Sequence, residues 1–251
     1  MTHPRTALML ALDEQVGPTA GAHGFEVTRP RFGSIDRRWV RRNAVGDVAV
    51  VEVAATAGPS EGDLRAFELW IAVTPEPALA RLRQGQSESV VQALQHSASL
   101  GMYTAVLPPP GGEPTPGSGS WWKVPEADVA PEVAAGIAAE LERTGWPTLT
   151  RLLDREALLA QVRSGDLGNR TTASPRVLAG AEAMLLADRG PSPRLDELIA
   201  MLDEGVDGRG RPYAGVATAF LRARAGERAP ARARGARAWF RRRHKGARPA
   251  G

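Results

Sequence analysis

Within Leu64–Val73, the side chains of Phe67, Leu69, Ile71 and Val73 fall on one side, and Glu68 and Trp70 fall on the other. A period of two over that length fits a strand with one face against a core and fits no helix. Upstream segments carry matching punctuation. Phe25–Phe32 and Ile35–Arg42 are joined by Gly33-Ser34, a short hairpin signal, and Asp47–Ala55 is rich in valine. Ahead of them Leu8, Leu12 and Val16 recur every four residues beside Ala11, the spacing of an amphipathic helix, which Gly17-Pro18 ends or kinks. One helix followed by four antiparallel strands predicts an α+β fold.

The alternation also explains "DRRWVRRN", residues 36–43, where four arginines surround one tryptophan. With Trp39 on the core face beside Ile35, Arg38 and Arg42 point the other way. Ala49, Val51 and Val53 are then inward and Glu52 outward, so Arg38 and Arg42 meet carboxylates across strands on a solvated face. Arg37 and Arg41 share the side of Trp39 and snorkel past it to water.

Beyond the sheet, Pro75–Gln84 reads as a short helix, while Gln86–Val106 has little pattern. Residues 108–120, "PPPGGEPTPGSGS", form a low-complexity loop without core-forming side chains. "WWKVP", residues 121–125, supplies a last strand. Asp128 and Pro131 open a helix with Val129, Val133, Ile137 and Leu141 on one stripe, ended by Gly145. Two short helices flank Asp154, a predicted N-cap. Gly165–Ala173 reads as a linker. Ser174-Pro175 and Ser192-Pro193 then start two helices that Gly190 and Gly205 end, and a third runs through Tyr213, Val216 and Phe220. Expected domains are a sheet domain over 1–165, a helical hairpin extension over 166–225 and a disordered basic tail over 226–251.

The order of these elements resembles the bacterial family called domain of unknown function 4304. The likeness is carried by Gly24-Phe25 after the first helix, Phe32, Trp39-Val40-Arg41, and "FELWIAVTP" (residues 67–75). "WWKVP" before a helix and "GWPTLTRLLDREALLAQV" (residues 145–162) complete it. It covers roughly Leu8 to Ser164, and residues 86–120 depart from the family pattern. The resemblance implies a fold; the family carries no established activity and no catalytic residues to transfer.

Composition narrows the chemistry. The chain has 251 residues and no cysteine, which removes disulfides, thiolate metal sites and cysteine nucleophiles. Its four histidines, His3, His23, His96 and His244, lie far apart, none at metal-ligand spacing. "GSGSW" at 117–121 lacks the G-x-S-x-G order of a nucleophile elbow, and "GRGRP" at 208–212 is not a phosphate loop. No catalytic, cofactor-binding or metal residues are assigned, and no cofactor is expected. With no signal peptide h-region and no run of the ~18 apolar residues a membrane span needs, a cytoplasmic protein is expected.

Charge is uneven. Arg222–Gly251 holds ten arginines, Lys245 and one acid, Glu227, a net +10; the rest holds 21 basic and 27 acidic residues, a net −6. Three features are therefore candidates for binding. Adjacent Trp121 and Trp122 point to opposite faces of a strand, so one can be exposed as a hot spot for a protein partner, unless a helix covers both. Trp70, opposite Phe67 and Leu69, offers the same choice. In the tail, Arg237, Trp239, Phe240, Arg241, Arg242, Arg243 and Lys245 interleave cations with aromatics, a chemistry that suits phosphates and stacked bases. An anionic membrane surface is a lesser alternative, and the plain reading is a solvated, compositionally drifted tail. The expected function is non-enzymatic protein–protein interaction, of an accessory or immunity type that sequesters a partner on the sheet face. The alternative is a nucleic-acid-associated protein anchored by its tail.

Overall fold

The computed structural model describes residues 3–28, 35–55, 66–87, 97–112, 121–169, 173–204 and 211–228. The chain divides into two compact units, Met1–Ala173 and Ser174–Gly251.

In the first unit, helix α1 (Pro4–Gln15) opens on His3, whose Nδ1 accepts the amide of Arg5 at 3.3 Å. Gly17 and Pro18 break the helix as the sequence implies, and a second short helix, α2 (Gly17–Ala22), follows. Strands β1 (Glu26–Thr28), β2 (Ile35–Arg42), β3 (Val48–Ala55), β4 (Ala66–Thr74) and β5 (Tyr103–Leu107) lie in chain order, every pair antiparallel. A sixth short strand, β6 (Trp122–Lys123), pairs with the start of β4, on Ala66 and Phe67. The fold is α+β. The proposed Gly33-Ser34 hairpin lies outside the described residues.

The register resolves the two faces. One row joins Trp39, Val51, Ile71 and Ala105 across β2–β5; the next joins Arg38, Glu52, Trp70 and Val106. The Trp39 row is fully buried, as the alternation predicts. It lies on the face where Arg37 reaches past it to α1, donating to Asp13 at 2.6 Å and to the carbonyl of Met9, while Arg41 reaches Thr150. Among the described residues the indole Nε1 of neither Trp39 nor Trp146 finds an acceptor, so both rings contribute packing alone.

The second face differs from the expectation. It is not solvated: Val40, Val48, Val50, Ala72, Leu79 and Ala98 form a buried cluster on it, capped by α3 (Glu76–Gly85) and a single 3₁₀ turn (Ala98–Leu100). Arg38 and Glu52 do pair, at 3.0 Å, but both are buried, and Glu52 Oε2 also accepts the amide of Ala98 at 3.1 Å. Period two alone cannot tell a wet face from a covered one.

Thr104 N donates to Leu167 O, and the Asn169 amide both accepts from Val106 N at 2.7 Å and donates to Val106 O at 3.0 Å. Residues 167–169, read from sequence as linker, thereby satisfy the outer edge of β5. Gly168 has φ +87°, and a Cβ there would collide with the Thr104 carbonyl, so only glycine fits.

After a 3₁₀ turn (Ala127–Val129), helix α4 (Ala130–Glu140) continues through a five-residue π turn (Leu141–Gly145) into α5 (Trp146–Leu152). Gly145 does not end the helix, contrary to expectation. Trp146 is completely buried against Phe25, ring centroids 4.8 Å apart. Helix α6 (Arg155–Arg163) begins at Asp154, whose side chain accepts from Ala157 N at 2.8 Å.

The second unit holds α7 (Pro175–Ala187), α8 (Pro193–Asp203) and α9 (Arg211–Arg228). Ser174 and Ser192 cap the first two by accepting from Val177 N and Leu195 N. Gly190, with φ +108°, follows α7. Leu185, Leu195, Leu198, Ile199 and Phe220 are buried. Ion pairs run from Arg224 and Arg228 to Asp188 and from Arg222 to Asp203. Helix thus extends two residues past Gly226, and the first three arginines of the basic stretch are spoken for within this unit.

Candidate functional site

Helix α1 presents Pro4, Ala7, Ala11 and Glu14 at spacings of three and four, a single stripe, with Leu10 beside it. The segment Pro125–Asp128 with Pro131, leading into α4, stands opposite, and α1 packs on α4 and on the 3₁₀ turn. Gln15 Nε2 donates to Pro131 O at 2.9 Å and closes one end. Between the two walls is an open groove of about 1050 Å³, lined also by His3. Leu10 is 58% exposed, a large aliphatic side chain without cover.

The groove is apolar along its floor and acidic at its rim. Glu14, Glu126 and Asp128 are all exposed lining residues, and no lysine or arginine lines it. Among the described residues none of these three carboxylates has a cationic partner. Asp13, next to Glu14, is used by the fold through Arg37.

Among the described residues no group of three or more His, Asp or Glu is arranged to hold a metal ion. Among the described residues, three groups are displaced from their ordinary pKa. Burial, then Asp166, pushes the Tyr103 hydroxyl up. Hydrogen bonds to Glu182 and Glu197 raise Arg194, and the Arg222 hydrogen bond, then that of Thr218, holds the Asp203 carboxyl below the usual range. None of the three lines the groove. His23 closes α2, stacks on Trp146 at 5.6 Å and lies 3.3 Å from Glu142.

The tryptophans singled out from sequence separate. Trp122 is buried, its Nε1 donating to Leu107 O at 3.0 Å and its ring against Gly136. Trp121, its neighbour, is 37% exposed, four residues before the groove wall at Pro125. One ring of the pair is buried and the other exposed, with Trp121 just ahead of β6 rather than within it. Trp70 is half-buried against the Val40–Ala98 cluster, with Nε1 bonded to Glu68 at 2.9 Å. Neither Trp70 nor Trp121 lines the groove; Trp70 belongs to the second sheet face. Arg237, Trp239, Phe240, Arg241, Arg242, Arg243 and Lys245 lie outside the described residues.

Sequence reasoning missed the groove because its walls are more than a hundred residues apart. It also missed Asp47. That carboxylate is buried and takes Arg155 on both oxygens, the Glu76 amide at 2.7 Å and Asn43 Nδ2 at 3.1 Å. It ties the β2–β3 turn to α3 and α6, a structural task.

No family model, no curated protein and no solved structure matches this chain.

Proposed function

We propose that the first unit is a non-enzymatic protein-binding module of an accessory or immunity type, and that its partner surface is the groove between α1 and the start of α4. The observation that carries this reading is the uncovered Leu10 beside an apolar groove of about 1050 Å³. Surface leucines are common singly, but one set beside a groove with a stripe of small residues and three prolines offers a ready anchor site. The sheet faces are poorer candidates, since the described core positions of both are packed. The likeness to domain of unknown function 4304 over residues 8–164 belongs to this proposal and implies no activity. No helix among the described residues is long and apolar enough to cross a membrane, and a cytoplasmic setting belongs to the proposal.

The test is photocrosslinking in the producing cells with p-benzoylphenylalanine introduced at Leu10, and at exposed Ala160 on α6 as a control. A discrete protein adduct from position 10 alone is expected. Adducts from neither position, or equally from both, would remove the groove as the partner surface.

A second reading rests on the net +10 of Arg222–Gly251, with Trp239 and Phe240 among the cations. It makes the last residues a nucleic-acid arm. Anisotropy against mixed DNA and RNA oligonucleotides compares the full chain with one ending at Arg228, which leaves α9 whole. Salt-steep binding lost on truncation supports the arm, and equal or absent binding in both forms removes it.

A further inference from the structure

From the charge of its rim we infer that the segment this groove receives is cationic: a lysine- or arginine-rich stretch of a partner protein with an aliphatic or aromatic side chain set between its charges. The inference rests on the groove being the partner surface and adds the chemistry of what enters it.

The rim carboxylates differ in what explains them. Asp128 sits at the start of α4, where the helix dipole favours an acid. Glu14 has no such reason. It lies in the last turn of α1, the end at which a negative charge is disfavoured, and no basic residue stands in that turn to offset it. Glu126 precedes the 3₁₀ turn and caps nothing with its side chain. A fold needing only solubility could place these acids anywhere. Placing Glu14 and Glu126 on facing walls of one apolar groove, without an internal cation among the described residues, leaves their field directed at whatever lies between them.

The same rim argues against the other classes of occupant. Phosphates of a nucleic acid or an anionic lipid surface would meet three carboxylates and no lysine or arginine. Pro4, Pro125 and Pro131 in its lining have no N–H to donate to an anion. A bare metal ion is not favoured either, since the three carboxylates do not form a metal-holding group. A peptide with methylene stems and charged heads fits both parts, its stems and anchor on Ala7, Leu10 and Ala11 and its heads at the rim.

The experiment is selection from a charge-unbiased phage library of random peptides about 16 residues long, roughly four helical turns, against the full chain. Binders are then synthesised and measured by anisotropy. Net-positive binders with one apolar anchor are expected. The triple variant Glu14→Gln, Glu126→Gln, Asp128→Asn should weaken them by roughly tenfold, as three exposed pairs would. Raising salt from about 0.05 M to about 0.5 M should do much of the same. Leu10→Ser should weaken them independently of salt. Neutral or acidic binders that lose affinity with Leu10→Ser but ignore the triple variant overturn the cationic chemistry and leave the groove standing. Binders indifferent to Leu10→Ser, or no binders at all, overturn the groove reading as well.

Discussion

Glu52 and Glu14 are the same side chain in opposite circumstances, and the contrast separates what holds this protein together from what it offers outward. Glu52 is enclosed on the second sheet face, with Arg38 and the Ala98 amide on its oxygens. Glu14 stands at the edge of a groove with no cation from the described residues beside it. A buried carboxylate survives because its partners are fixed; removing one of them strands the other. An exposed, unpartnered carboxylate contributes little to folding, so the fold does not require it.

The contrast can be broken most readily at Glu52. Glu52→Ala leaves Arg38 buried without its counter-charge and should cost about 3–5 kcal/mol in chemical denaturation. The double variant Arg38→Met, Glu52→Leu should recover most of that loss, because an apolar pair can replace a buried ion pair at little cost. A double variant as unstable as the single one would mean that the Ala98 amide, not the arginine, is what Glu52 serves. Asp47→Ala comes next. It removes the Asp47 carboxylate from Arg155 and from the Glu76 amide, and a loss of about 2–3 kcal/mol is expected, less than at Glu52 because Arg155 can turn to water.

Asp203 lies between the extremes: paired with Arg222 and Thr218, yet partly exposed. Asp203→Asn should cost no more than about 1 kcal/mol, already discounted for solvent screening. The pH dependence has a definite sign. Its folded carboxyl titrates below the usual value, so its stabilisation is present above the unfolded pKa of about 3.9 and fades as pH falls toward the lower folded value. Wild type should therefore lose stability faster than Asp203→Asn on the acid side of that point, read from denaturation midpoints. Smallest of all, Glu14→Gln, Glu126→Gln and Asp128→Asn should each change stability by less than about 0.5 kcal/mol. A larger loss would show that the rim serves the fold.

What the sequence disclosed follows the same line. Local rules were readable: the alternation of 67–73 placed those side chains on their faces, and Asp154, Ser174 and Ser192 cap the helices they precede. Even the Arg38–Glu52 pairing could be read from strand alternation. Its burial could not, because the cover comes from Glu76–Gly85 and Ala98–Leu100, the latter in a stretch of weak pattern. Asn169 looked like linker because nothing in its neighbours reveals the edge of a strand sixty residues earlier. The groove was hidden for the same reason: α1 reads as an ordinary amphipathic helix, and only the packing of α4 beside it supplies the second wall. Long-range pairing writes no period into the chain.

The π turn at Leu141–Gly145 carries a consequence for both regions. Each residue of an α-helix turns the chain by about 100°, and a π turn accommodates one residue more than the α-helical ladder would. It therefore acts as a phase offset between Trp146, sealed in the interior, and Pro131 at the groove, on what is otherwise one continuous helical run. Deleting a single residue there would let the α-helical ladder close with the two ends still in phase, whereas the same deletion in Ala130–Glu140 would re-clock Pro131 against Trp146.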